Sequence, residues 1–464
     1  MKKLSIYITI SFLALNFFSC KKSLNELPPQ SKVEGNVIID QKSAEVALNG
    51  VYYRFAEAGD DRGVQSTQTS YTHEKLPSSL AGFIENRTGA SALNMNAVTP
   101  TAYDAAYIWE SAYLLINAAN SVIKDVQLLP SNKIQEQRRN EILGEAYFMR
   151  AYGHYQLMAY YAQYFDVNSP YGVMIRDEPV TTSNIPATRK SVQESYDFIL
   201  ADVDKAIQDA PSAQSAKRVT SWTAKALKAR ILLNRGLESD FTEVVTLTKD
   251  IIANSPYLLE DHQEDIFKTK GLSSSEVMLG TVPFAAQVNK RDSYLYRDLP
   301  ADIVKEPLSE IMNGDPRVAW CFHTVSDYLG ISKFLGEQVE VGYMFRLTEV
   351  YLQEAEALLR SNGDIDEVKG LMKTVMGKAG ITDFGSLDAI TDRDELRMEL
   401  YAETVRNLFC EDGQDWQALL RLPMAKIQEL RPTIVSNTQF ILPIPLVEFQ
   451  RNPMIGDQNP GYIN

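Results

Sequence analysis

The four histidines of this chain, His73, His154, His262 and His323, are scattered without metal-ligand spacing. His73-Glu74 opens like a zinc-protease pattern, but Lys75-Leu76-Pro77 follows and the second histidine is missing. Gly377-Lys378 lacks the earlier glycine of a phosphate-binding loop, and neither Gly-x-Ser-x-Gly nor Gly-x-Gly-x-x-Gly occurs. Asp and Glu number 60, so a pair spaced for glycoside hydrolysis can be picked almost anywhere and carries no information. No EF-hand loop is present. These residues predict no catalytic group, no metal centre and no cofactor.

What does stand out is aromatic rings beside planar polar groups in loop-like stretches. One set is Tyr71, His73, Phe83, Asn86, Arg87 and Asn94; a second is Arg291, Tyr294, Tyr296 and Arg297; a third is Trp320, Phe322 and Tyr328. Rings suit the apolar face of a sugar, while Asn and Arg suit its rim of hydroxyls. The competing reading is a loop packed onto a core, and residue types alone leave both open. The candidate ligand contacts are Tyr71, Phe83, Arg87, Asn94, Tyr294, Tyr296 and Trp320.

The elements that must position them are mostly helices. Ser191 and Glu194 form a capping box ahead of Val192, Tyr196, Ile199, Leu200, Val203 and Ile207, which share one helical face, and Pro211 ends the pattern. Similar periodicity predicts helices near 104–126, 134–164, 221–235, 241–253, 345–360, 365–377 and 391–411. Consecutive helices with short turns suggest about four degenerate tetratricopeptide-like pairs, although no strict repeat is visible. The fold class expected is mostly α, with few short strands. Loop-rich insertions are expected near 59–102 and 255–342, where Gly, Pro, Ser and Asp interrupt the pattern and Val277–Val282 looks extended.

The first residues predict export. Lys2 and Lys3 precede a mainly apolar run from Leu4 to Phe18, too short for a comfortable span, and Ser19-Cys20 follows. The expectation is a lipoprotein signal peptide over 1–19, acylation of Cys20 and a polar tether over 20–36, with one domain from 37 to 464. Cys321 and Cys410 are expected as buried free thiols. A net charge of −14 repels phosphate backbones and argues against a nucleic-acid partner.

Several stretches are similar to signatures of the SusD/RagB family. One runs Gly144-Glu-Ala-Tyr-Phe-Met-Arg150-Ala-Tyr152, then Tyr160-Tyr161, Tyr164-Phe165 and Pro170-Tyr171-Gly172-Val173. A second runs from Phe345-Arg346-Leu347 through Glu349 and Tyr351 to Glu354-Ala355-Glu356-Ala357. Arg397-Met398-Glu399-Leu400, with Glu411-Asp412-Gly413 and Asp415-Trp416, adds to it. The most specific is the C-terminus, Leu442-Pro443-Ile444-Pro445, Asn452-Pro453 and Gln458-Asn459-Pro460-Gly461-Tyr462, and Trp109, Tyr113, Asn117 and Asn120 also fit. The resemblance implies an outer-membrane lipoprotein that binds oligosaccharide at the cell surface and delivers it to a SusC-like TonB-dependent transporter. Some members bind peptides, so peptide import is the alternative. A lipid-anchored glycoside hydrolase and a protein-binding adaptor are further readings. The resemblance also implies that Arg150, Arg346 and Glu399 are scaffold ion pairs and that the variable loops bind ligand.

Overall fold

The computed structural model describes residues 37–57, 69–283 and 290–463. Cys20 and the segments on either side of it lie outside these residues. Helices dominate. The longer ones are α1 (Gln41–Phe55), α2 (Tyr103–Leu128), α3 (Glu136–Tyr161), α4 (Val192–Asp209), α5 (Ser221–Arg235), α6 (Glu238–Asn254), α7 (Leu347–Arg360), α8 (Ile365–Lys378), α9 (Arg393–Leu408) and the shorter α10 (Gln414–Leu420). Each of α2 to α8 packs on the next in the chain, and α9 packs on α7 and α10.

The capping box of α4 forms as the sequence requires. Ser191 Oγ accepts from the Glu194 N–H at 3.2 Å, and Glu194 Oε2 accepts from the Ser191 N–H at 2.9 Å. Gly236 ends α5 at φ 71°, a left-handed conformation that glycine adopts without strain. α3 is the central helix, buried on every side from Ile142 to Tyr161. A helix so enclosed must pair its polar groups internally. Arg150 pairs with Asp202 of α4 at 2.6 Å and also donates to Asn120 of α2 at 2.9 Å. His154 donates from Nδ1 to the Arg150 carbonyl, and its Nε2 accepts from the Arg176 N–H. Burial lowers its pKa to about 3, so the ring is neutral and structural.

α6 and α7 are neighbours in space although the stretch 255–346 separates them in sequence. The base of this insertion is sealed by β2 (Val277–Thr281) pairing antiparallel with β8 (Gly342–Arg346). Phe345 and Arg346, expected at a helix start, end that strand instead. Pairing of Arg346 opposite Val277 outweighs their local preference, and α7 begins at Leu347. Cys321 and Cys410 are buried free thiols. Among the described residues no helix is long and apolar enough to cross a membrane.

Candidate functional site

The two insertions meet in one antiparallel sheet of order β1–β5–β7–β6, where β1 is Ile84–Asn86, β5 Asp302–Val304, β6 Phe322–Val325 and β7 Tyr328–Ile331. Asn86 stands opposite Asp302, and Ile303 opposite Gly330. A two-stranded hairpin, β3 (Leu295–Tyr296) and β4 (Leu299–Pro300), lies against β7. Gly330 permits that approach: a Cβ there would fall 2.5 Å from Pro300 Cγ and 3.0 Å from His323. Both hairpins turn on two residues with positive φ, Arg297 and Asp298 in one, Ser326 and Asp327 in the other. This is the twist-matched two-residue turn, here made without glycine.

The second turn places Tyr328 beside Arg87, and in the first the Arg297 guanidinium lies 5.2 Å from the centre of the Tyr296 ring. Tyr296 is 56% exposed and Tyr328 37%. The Arg87 N–H donates to the Ala301 carbonyl at 3.0 Å, and Nε donates to the Pro300 carbonyl at 2.9 Å. Its guanidinium lies 5.5 Å from the centre of the Tyr328 ring. These contacts fix the base of the fork and hold it in a plane where its other N–H groups can meet hydroxyls.

A second aromatic group sits beside it. Residues Ser70–Lys75 form one π-helical turn that runs into the short helix Leu76–Leu80. Tyr71 is half-buried and donates its hydroxyl to Asp104 at the start of α2. Its ring meets Tyr107 at 4.9 Å, and Tyr107 meets Tyr103 edge-on at 4.4 Å. Burial and Asp104 together push the Tyr71 phenol far above its ordinary pKa, so it stays protonated. Tyr103 is 55% exposed. Lys75 joins the two groups: it pairs with Asp302 of β5 and donates to the Ser293 carbonyl at 2.8 Å.

The other candidates stand apart from this surface. Phe83 is only 1% exposed and belongs to the core. Asn94 is buried, with Nδ2 donating to the Ile84 carbonyl at 2.7 Å and Oδ1 accepting from the Ser91 N–H at 3.1 Å. Its amide is a strut behind β1. Tyr294 is buried and donates to Glu74 at 2.8 Å. Trp320 is half-buried and stacks on Phe267, centroids 5.6 Å apart at 21°. Tyr103 and Tyr107 carry no loop signature in the sequence, because they open a long helix. Their i, i+4 spacing at its first turn was the available signal.

Residues 26–233 match a family described as starch-binding associating with outer membrane, the SusD-like family. A SusD-like protein of Bacteroides ovatus is 22% identical over 282 residues, which is 59% of this chain and 48% of that protein. The chain is similar to the SusD-like family over residues 26–233 and to this relative over 282 residues. A solved SusD superfamily protein from Parabacteroides distasonis superposes with a TM-score of 0.76 at 18% identity, covering 91% of this chain and 99% of the other. A laminarin-binding SusD-like protein superposes with a TM-score of 0.71 at 20% identity, covering 92% and 100%. The matched stretch includes Tyr71, Arg87 and Tyr103 but ends before Tyr296 and Tyr328.

Proposed function

We propose that the chain is a lipid-anchored outer-membrane protein that binds oligosaccharide and delivers it to a SusC-like TonB-dependent transporter. The observation that carries the ligand class is the surface made by Arg87, Tyr296 and Tyr328. Exposed rings beside a guanidinium held at its base suit the flat C–H faces and hydroxyl rims of sugars. The relatives support this reading, since the family is described as starch-binding and one structural neighbour binds laminarin. Acylation of Cys20 would keep the site at the membrane, and the rigid helical face would offer the transporter a docking surface. A wide, shallow platform holds a ligand loosely, so affinities on the order of micromolar to millimolar are expected.

The test is a glycan and peptide array probed with the full chain in detergent, followed by calorimetry of the best ligand. Oligosaccharide binding without release of shorter sugars supports the proposal; binding of peptides alone overturns it. Cys20→Ala should abolish fatty-acid labelling, and mild extraction of the native protein should copurify a large β-barrel.

A further inference from the structure

The π-helical turn that presents Tyr71 and Lys75 has a buried side. On it His73 is 7% exposed and Glu74 2%. The His73 Nδ1–H donates to Asp412 Oδ1 at 2.8 Å, and its Nε2–H donates to Glu57 at 3.1 Å. Asp412 also accepts from Tyr152 of α3 at 2.7 Å and from Arg230 of α5 at 2.5 Å. Arg230, 1% exposed, grips both oxygens of Glu349 of α7 at 2.7 Å. Charges from α5 and α7 and a phenol from α3 therefore converge through Asp412 on the residue midway between Tyr71 and Lys75.

The backbone around Asp412 is shaped for this contact. Cys410, Asp412 and Gly413 have φ of 57°, 43° and 70°. Two non-glycine residues held there are strained, and such strain persists only where the surroundings enforce it. The Gly413 N–H donates to the His73 carbonyl at 3.0 Å, and the Cys410 N–H to Ser78 Oγ at 3.1 Å. A Cβ on Gly413 would lie 2.3 Å from the Tyr160 hydroxyl and 3.3 Å from Pro77. The turn 410–413 thus clamps the segment 73–78 through side chain, backbone and close packing at once.

We propose that the relay Arg230–Asp412–His73–Glu57 is a positioning device: it sets the pose of Ser70–Lys75 and through it the affinity of the ligand surface, beyond its share in stability. A fold held only by apolar packing has no use for four charges here, because a buried ion pair gains little over a well-packed apolar replacement. It does gain a unique geometry. Tyr71 and Lys75 flank His73 by two residues each, so displacement of the imidazole moves the half-buried Tyr71 ring and the Lys75 ammonium that holds Asp302 of β5. This inference rests on the proposed oligosaccharide surface.

The experiment compares His73→Gln with Asp202→Asn, which breaks a buried pair between α3 and α4 far from the turn. Each full chain is measured by calorimetry with the best array oligosaccharide, by thermal melting, and by hydrogen exchange. His73→Gln should weaken binding about two- to thirtyfold, in the range seen for residues coupled to a site without touching ligand. Amides of 69–80 should exchange faster while α2 to α4 keep their protection. Asp202→Asn should lower the melting temperature and leave affinity within about twofold. Unchanged affinity in His73→Gln overturns the proposal, as does an equal loss in Asp202→Asn at matched stability. Should the parent bind no oligosaccharide, the functional reading fails and the relay is still judged by exchange: unaltered protection over 69–80 overturns it. If His73→Gln does not fold, Tyr152→Phe removes only the hydroxyl on Asp412. It should weaken binding about two- to threefold, and no loss would count against the relay.

Discussion

Across α2 to α6 the backbone pairs within each helix, and the buried charges mostly meet other side chains, as Arg230 does at Glu349 and Asp412. Arg150 meets Asp202, and Arg139 donates to the Val126 and Leu129 carbonyls at the end of α2. At the base of the insertion the pattern inverts. Lys333 donates to the Asn407 and Phe409 carbonyls and to Glu411. Arg346 donates to the Asn407 carbonyl and pairs with Glu276 and Glu411; Arg317 pairs with Asp315 and Glu403. Irregular backbone cannot satisfy its own carbonyls, and long cationic side chains fill the deficit from a distance. The helical half can be built from periodicity. The loop half needs particular partners, and the proposed ligand surface is mounted on it.

The largest effect that could break this contrast is the loss of one such cation. Lys333→Met takes its cation from the Phe409 carbonyl and leaves the Asn407 carbonyl and Glu411 to Arg346 alone, in a site that is 1% exposed. It should cost about 3–5 kcal/mol, as removal of one member of a buried pair does. Arg139→Met, which takes a cation from two carbonyls but from no buried acid, should cost about 1–3 kcal/mol. Urea unfolding of the two variants decides: equal losses would mean that the halves are held alike.

The second effect is on pH dependence. Burial alone would lower the His73 pKa, but Glu57 and Asp412 outweigh it and raise the group from 6.5 to about 10. Because the folded value lies above the unfolded one, the proton stabilises the fold fully below about 6.5. That contribution is lost as pH rises toward 10. The native chain should therefore lose stability between pH 7 and 10 more steeply than His73→Gln. His154, neutral at every such pH, should contribute nothing when changed to Gln. Parallel curves for parent and His73→Gln, from urea midpoints across that range, would remove the imidazolium from the account.

A third effect separates binding from stability. Tyr296→Ala removes an exposed ring at a hairpin turn, so unfolding should shift by no more than about 0.5 kcal/mol. Calorimetry should show a loss of about ten- to a hundredfold in affinity, or 1–3 kcal/mol, if the ring is a stacking platform. Trp320→Ala should do the reverse, because that ring packs on Phe267 inside the loop half.

The order of visibility in the sequence follows the same division. α4 is legible from Ser191 to Pro211, because capping and periodicity are local properties of the chain. So are α5 up to Gly236 and the extended Val277–Thr281. The site is legible only as composition. Tyr296 and Arg87 lie more than two hundred residues apart, and their approach depends on the pairing of β1 with β5 and on Gly330 admitting Pro300. Phe83, Asn94 and Tyr294 belong to the same stretches yet point inward, since alternation in strands two or three residues long is too short to reveal a face. The clamp at Cys410–Gly413 sits in a segment whose Asp412-Gly413 pair reads as a simple turn. Its partners His73, Tyr152 and Arg230 come from three distant places.

The smallest effect belongs to the helical half and completes the contrast. Ser191 Oγ accepts from the Glu194 N–H and donates to Glu194 Oε2 at 2.7 Å, all at an exposed helix start. Ser191→Ala removes one of the partners of α4's first turn and nothing else, since Glu194 can still reach the backbone N–H of residue 191. Caps of this kind contribute about 1 kcal/mol. Glu194, whose carboxyl is held below its ordinary pKa by Ser191, should titrate closer to the usual carboxylate range once the hydroxyl is gone. α4 carries Asp202, which holds Arg150, but it contributes no residue to the surface of Arg87, Tyr296 and Tyr328. The expected outcome is a loss of about 1 kcal/mol in urea unfolding, with oligosaccharide affinity unchanged. A change in affinity would show that α4 is coupled to the loops, and that helix and insertion do not divide the labour of holding and binding.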